Sequence, residues 1–320
     1  MCPAFAVTVP INENGIILDP GVPSTVGEVL GAPRPVSDVV VYSHGWWANA
    51  ADADQQYNAF SVGFERCLMD HVSWPGLTLP TEAFAAAVQW PSLIPGKPGP
   101  IEDVREALTF YTMGKRADIV GEHGVASLVR LLYASKRRPL RLSMIGHSYG
   151  CRVVCSALVS ALAQLPAIDP TIRIRVALLE AAFNRVALAP GGAYAQLSTY
   201  PGVDLRLLVT TSKLDTALVT WYPEAERLAN LFSGGDMQAL GAAGPDPATE
   251  TVWGGRGDVT VGSGFDASGI SAQGERLVVA DLTPLHKSHP DGDAGPFMGH
   301  HSDIYLVEVY RLLAGFLFRT

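Results

Sequence analysis

Along the chain, short apolar runs alternate with longer stretches in which apolar and polar residues recur at helical spacing. That pattern predicts buried strands separated by crossover helices. Five runs, DVVVYSHG (38–45), AFAAAVQW (83–90), RLSMIGHS (141–148), RIRVALLE (173–180) and DLRLLVTT (204–211), are almost continuously apolar. Strands of a parallel sheet covered on both faces have this character, because neither side alternates toward water. Between them, 54–70, 115–135, 149–165 and 223–231 carry helical spacing, and a closing helix is expected from Ser302. Gly121 and Gly124 weaken the second of these, since glycine costs helix propensity. Ahead of the first central strand, FAVTV and GIILD are expected to supply antiparallel edge strands.

Two turn-rich segments are longer than ordinary connections, 91–113 and 233–274, and are expected to be loop or lid insertions in one domain spanning 1–320. The RGD at Arg256–Asp258 lies in the second and reads as a turn in a glycine-rich loop.

Composition narrows the classes. Of 320 residues, 48% are hydrophobic and 17% charged, which suits a compact globule rather than a disordered chain. Lys and Arg number 23 against 31 Asp and Glu, a net charge of −8, and no basic run is present to neutralise a phosphate backbone. Nucleic acid is therefore not an expected partner. Lys136, Arg137 and Arg138 sit where a helix should end, and cations there complement its dipole.

The apolar C-terminal stretch 304–318 is broken by Glu308 and Arg311 and falls short of the roughly 20 apolar residues a membrane span needs. The first residues, MCPAFAVTVP, lack a basic leader and a long apolar stretch, so a cytoplasmic location is expected, although a trimmed secretory precursor would look the same. Four cysteines without paired CxxC spacing support neither a disulfide framework nor a thiolate metal site, and Cys151 and Cys155 fall on one helix face.

The sharpest chemical signal is GHSYG, 146–150, between an apolar run and an apolar helical stretch. In that setting GxSxG forces Ser148 into a tight strand-to-helix turn with its hydroxyl exposed above the sheet. Gly146 and Gly150 supply the missing side chains the turn requires. A serine hydroxyl is a weak nucleophile until a neighbouring base, usually an imidazole held by a carboxylate, takes its proton.

GHSYG in this context, with SHGWW following a strand some hundred residues earlier, resembles the α/β-hydrolase superfamily over most of the chain. The resemblance implies a mainly parallel central sheet flanked by helices on both faces. It also implies the chain order Ser, Asp/Glu, His. Asp215, just beyond the strand 204–211, then becomes the acid, with Glu180 as alternative. His301, before the closing helix, becomes the base, with His300 as alternative. The backbone N–H groups of Tyr149 and Trp46 would form the oxyanion hole, His44 would buttress the loop that carries Trp46, and Trp47 would be pocket wall or core. Trp90 is a further aromatic near a strand end.

The resemblance further implies a serine hydrolase acting on a small-molecule carboxylic ester through an acyl-enzyme. Amide, thioester or lactone cleavage, acyl transfer and a non-catalytic binding module stay open, and no cofactor is implied. The segment 286–301 clusters His286, His289, Asp291, Asp293, His300 and His301, yet matches neither a closed zinc site nor an EF-hand loop. It reads as a polar loop, and no metal is expected. Nothing in the chain speaks to oligomeric state.

Overall fold

The computed structural model describes residues 7–31, 36–46, 48–70, 74, 76–79, 83–93, 104–134, 141–165, 171–229, 236–268, 270, 274–290 and 299–319. Eight strands, β1 (Val7–Pro10), β2 (Asp38–Ser43), β3 (Ala83–Gln89), β4 (Arg141–His147), β5 (Arg173–Leu179), β6 (Asp204–Thr211), β7 (Arg256–Thr260) and β8 (Leu277–Asp281), form one sheet. Its order is β1-β3-β2-β4-β5-β6-β8-β7, and every neighbouring pair runs parallel.

The helices are α1 (Val22–Gly31), α2 (Ala50–Asp70), α3 (Val104–Ile119), α4 (Ala126–Ala134), α5 (Gly150–Gln164), α6 (Tyr222–Ala229), α7 (Leu240–Ala243), α8 (Ala248–Trp253), α9 (Thr283–Lys287) and α10 (Val307–Phe318). This is an α/β fold with an all-parallel sheet between helical layers.

Alternate strand residues feed two cores. Val39 and Val41 of β2 join Leu142, Met144, Val176 and Leu207 under α4 and α5, including Val129, Leu132, Val154 and Leu158. Val40 and Tyr42 point to the other face, with Ile145, Leu179, Leu208 and Ala280 against Phe60, Phe64, Leu312 and Phe316 from α2 and α10. Both faces being dry explains the unbroken apolar runs, since burying one such side chain contributes roughly 1.5–3 kcal/mol.

Several sequence expectations change in the folded chain. The N-terminal edge strand is parallel to β3, not antiparallel, and Gly15–Asp19 contributes only the antiparallel bridge between Ile11 and Ile17. With α1 intervening before β2, the chain re-enters the sheet as a crossover unit, which keeps the strands parallel.

The RGD sequence is part of the edge strand β7, not a turn. Its mixed polar pattern fits a strand with only one partner, β8. Of the segment 115–135, the described residues 115–134 are helical through both glycines, by way of a π-helical turn, Val120–Val125, that joins α3 to α4. A Cβ on Gly121 would stand 2.4 Å from the Val153 carbonyl oxygen of α5, so the glycine permits this close crossing.

The closing helix begins at Val307 rather than Ser302. A short 3-10 turn, Asp303–Tyr305, precedes it, and Leu306 is extended with ψ 145°. That break leaves 299–306 as the loop that carries His300 and His301. Among the described residues, no helix is long and apolar enough to cross a membrane.

Candidate active site

The site lies at the carboxyl ends of β4, β5 and β6, where loops leave a parallel sheet. Ser148 follows β4 at once and has φ +54°, a left-handed conformation that costs a non-glycine residue roughly 1–2 kcal/mol. Its neighbours hold it there. The Ser148 N–H donates to the Leu179 carbonyl at 3.0 Å, and the Ala182 N–H donates to the Ser148 carbonyl at 3.2 Å. A Cβ on Gly150 would meet the Ser43 carbonyl oxygen at 2.2 Å, and one on Gly146 would meet Cα of Cys151 at 2.6 Å. The turn is closed to any larger residue at these two points.

Three side chains from distant segments meet in series. The Ser148 hydroxyl faces His301 Nε2 at 2.8 Å, and His301 Nδ1 faces Asp215 Oδ2 at 2.7 Å. Asp215 follows β6, and its other oxygen accepts the Leu218 N–H at 2.9 Å. All three residues are buried. With the carboxylate accepting the Nδ1 proton, Nε2 is left with its lone pair toward the hydroxyl, so the imidazole can take the hydroxyl proton.

The adjacent His300 turns the other way. Its Nδ1 faces Asp303 Oδ2 at 2.5 Å, and its ring stacks on His286 at 4.9 Å. Asp303 is thus the partner of His300, and its position in the first turn before α10 is secondary.

The loop after β2 crosses directly over the serine. His44 is fully buried, and its Nδ1–H donates to the Gly45 carbonyl at 2.7 Å while Nε2 accepts the Trp90 N–H at 3.4 Å. Both partners suit the neutral tautomer, and burial pushes the His44 pKa down to about 4. The Trp90 ring stacks on His44 at 5.4 Å, and its indole N–H donates to the His44 carbonyl at 3.1 Å. Trp90 thereby clamps this loop from below. Trp46 meets the Tyr149 ring edge-on at 6.4 Å, bringing together the two residues expected to present their N–H groups to substrate. Trp47 lies outside the described residues, as do Asp291, Asp293, the cluster 136–138 and the segment 94–103.

Glu180, the alternative acid, sits one residue past β5, with φ +47° and no solvent exposure. Its Oε2 is 3.9 Å from His301 Nδ1, against 2.7 Å for Asp215, and its Oε1 is 3.7 Å from His286 Nε2. Among the described residues, neither oxygen has a hydrogen-bond partner. Burial, and then the neighbouring Asp215 and Asp303, hold its pKa well above the usual carboxylate range, so it is neutral.

Two residues that sequence reading left without a role belong to this shell. His147 Nε2–H donates to the His301 carbonyl at 2.8 Å, pinning the backbone of the histidine loop. Burial and the nearby His301 push the His147 pKa down to about 3. Its position inside GHSYG, next to the serine, was the available signal. His286 reaches Ser212 Oγ with Nδ1 at 2.8 Å. Its place in the polar run 286–301 marked it, but only folding reveals its neighbours.

The segment 233–274 contributes structure as well as turns. The Leu240 N–H donates to Phe183 O at 2.8 Å and the Gly241 N–H to Ala181 O at 3.0 Å, so the start of α7 braces the chain just beyond Glu180. Among the described residues, His147, Glu180 and His301 bring ligand atoms within 4.8 Å of one another, near enough to hold a cation. Both ring nitrogens of His301 already serve Ser148 and Asp215, so a metal there would have to break that series. A cavity of about 320 Å³ opens beside the site, lined by Tyr111, Lys115, Tyr149, Arg152, Asn184 and Tyr222.

No protein-family model matches the chain, and no curated protein matches it. Among solved structures it is similar to the phospholipase PlaB from Legionella pneumophila, with 13% identity and a TM-score of 0.24, over 73% of this chain and 41% of that one. The chain thus spans about two-fifths of that structure's length. A likeness of this size carries no weight for fold or activity.

Proposed function

We propose that the protein is a serine hydrolase of the α/β-hydrolase type that cleaves carboxylic esters through an acyl-enzyme intermediate. The observation that carries the reading is the unbroken series from Asp215 through His301 to Ser148, with the serine at positive φ immediately after a central strand. A strained serine at that place serves no packing purpose, and strain of this kind concentrates where chemistry is done.

On this reading the Ser148 hydroxyl attacks the ester carbonyl as His301 Nε2 takes its proton. The imidazolium, steadied by Asp215, returns that proton to the leaving alcohol. Water then repeats the sequence on the acyl-enzyme, releasing the acid and restoring the serine. The oxyanion formed in each half meets the N–H groups of Tyr149 and Trp46, donors fixed by the backbone before substrate arrives. The tight approach of the β2 loop to Ser148 supports that assignment, as does neutral His44, whose ring holds the loop without placing a charge beside the developing oxyanion.

The test is hydrolysis of p-nitrophenyl esters of graded acyl length, with labelling by a fluorophosphonate. Ser148→Ala and His301→Ala should each lower turnover by about 10⁴-fold or more and end labelling. His300→Ala, whose ring faces Asp303, should retain activity within about tenfold. Labelling that persists in Ser148→Ala overturns the nucleophile. Labelling without ester turnover moves the substrate to amides, thioesters or lactones, and absence of both leaves a binding module.

A further inference from the structure

Among the described residues, both carboxyl oxygens of Glu180 lack a hydrogen-bond partner, as do His147 Nδ1 and His286 Nε2 in the same shell. A carboxyl with no solvent exposure and, among the described residues, no hydrogen-bond partner on either oxygen is costly to bury, far more so when charged than when neutral. Its backbone adds strain, with φ +47°. The chain nevertheless holds it firmly. Its N–H donates to Thr210 Oγ1 at 2.9 Å, and a Cβ on Gly241 would stand 2.5 Å from its carbonyl carbon. The carboxyl has two histidine neighbours, His286, whose Nε2 lies 3.7 Å from Oε1, and His301, whose Nδ1 lies 3.9 Å from Oε2 and whose other nitrogen faces Ser148.

We propose that Glu180 is a second acid of the Ser148–His301 pair, a positioning residue able to accept the Nδ1–H of His301 in place of Asp215. The inference rests on the serine-hydrolase reading. Moving from 3.9 Å to hydrogen-bond distance takes about 1 Å, within reach of a side-chain rotation once the Asp215 carboxyl is cut away. With Asp215 present, Glu180 stays neutral, because two carboxylates so close to one imidazole cannot both hold charge in a dry site. That neutrality has a use. If both acids were ionised, the imidazolium would be so favoured that His301 would rest protonated and could not take the serine proton.

The groups that face the Glu180 carboxyl come from every side. Asp215 and Asp303 oppose its ionisation, His286 and His301 adjoin its oxygens, His147 completes the trio of close ligand atoms, and the buried Cys151 thiol lies nearby. His147 and His286 are held neutral by burial and histidine neighbours. Burial is the main reason Glu180 keeps its proton and Asp215 the next, so removing that carboxylate takes away the largest charge opposed to its ionisation. The balance is simple: Glu180 gives its proton to solvent base, and the freed oxygen accepts Nδ1–H, with no other bond changed.

The experiment compares Asp215→Ala, Glu180→Gln and the double variant by rate of fluorophosphonate labelling at Ser148 and by ester turnover, from pH 5 to 10. Removing the acid from a triad that has no substitute costs about 10⁴-fold. Here Asp215→Ala should lose no more than about 10²-fold at alkaline pH, with a rate that keeps climbing with pH as Glu180 ionises. The double variant should lack that alkaline limb and fall the full amount. Glu180→Gln alone should lower turnover by less than about tenfold and change the alkaline side of the profile.

Asp215→Ser, whose shorter side chain no longer reaches His301 while its hydroxyl can still accept the Leu218 N–H, carries the same comparison if the alanine variant unfolds on thermal melting. Equal rates for Asp215→Ala and the double variant at every pH overturn the second-acid role and leave the serine-hydrolase reading intact. A native protein that the phosphonate does not label, and that turns over no ester, removes that reading and this inference together.

Discussion

Gly45 and Ser148 face each other so closely that a Cβ on the glycine would stand 2.7 Å from Cβ of the serine and 3.3 Å from its Oγ. The β2 loop and the serine turn therefore share one small volume. The carbonyl of the same glycine accepts the Nδ1–H of His44, which sets the height of the loop above the serine.

Gly45→Ala should accordingly fold but displace the loop or the serine. The expected loss is about 10²-fold in kcat/KM, as follows from a misplacement near 1 Å at reacting groups, with roughly 1–3 kcal/mol of stability. Ester kinetics and thermal melting measured on the same preparation check it. An alanine variant with native kinetics would mean the loop plays no part in catalysis.

Ser148 offers a test of strain. Both Ser148→Ala and Ser148→Gly abolish the nucleophile and the contact with His301, so their difference reports only the backbone. At φ +54° glycine should be the more stable by about 1 kcal/mol, the reverse of the order found inside a helix. Chemical denaturation of the two variants decides, and a more stable alanine variant would show the turn to be relaxed.

Stability should fall on both sides of neutrality for separate reasons. His44 and His286, with pKa values near 4, and His147, near 3, are held below the ordinary imidazole value chiefly by burial. Between pH 6.5 and about 4 the unfolded chain binds more protons at these sites. Stability is therefore fully present above pH 6.5 and declines as pH drops, by up to ~1.4 kcal/mol per unit for each histidine.

Glu180 acts in the opposite sense. Its raised pKa makes the folded state the better proton binder, so its contribution is present below the usual carboxylate range and is lost as pH climbs. Glu180→Gln should raise the melting temperature relative to native protein at pH 8 to 9, and the gap should close toward pH 5. A gap independent of pH would mean that Glu180 is not the group responsible.

His147 should matter through the main chain. His147→Ala removes the donor to the His301 carbonyl and frees the histidine loop, so kcat should fall by roughly tenfold or more with little change in KM. His147→Gln, which can place an N–H near the same carbonyl, should recover part of the loss. Equal defects in both variants would point to packing rather than to that hydrogen bond.

Much of the architecture is readable in one dimension because its causes are local. The central strands are apolar throughout, and the structure places β2, β3, β4, β5 and β6 within a residue or two of the runs that announce them. The glycines of GHSYG are needed by a turn of five residues, so that feature too is visible without tertiary information. Edge elements are less legible. The direction of β1 depends on α1, and β7 has a polar, glycine-containing sequence that becomes a strand only because β8 offers it a partner.

The sequence by itself determined the strand, turn and helix around Ser148 and placed one acid after β6 and two histidines before the last helix, because chain order and local sterics are enough for these. Only the tertiary structure decided which neighbour of the pair 300–301 faces the serine, since Leu306 and the 3-10 turn before α10 set how that loop is presented. It alone decided that Asp215 stands at hydrogen-bond distance from His301 while Glu180 waits behind it, without a hydrogen-bond partner among the described residues. It also showed that His44, His147 and His286 are kept uncharged. Those properties follow from desolvation and from charges brought together across the sheet. Residue order fixes neither until the chain has excluded water from between the strands and helices.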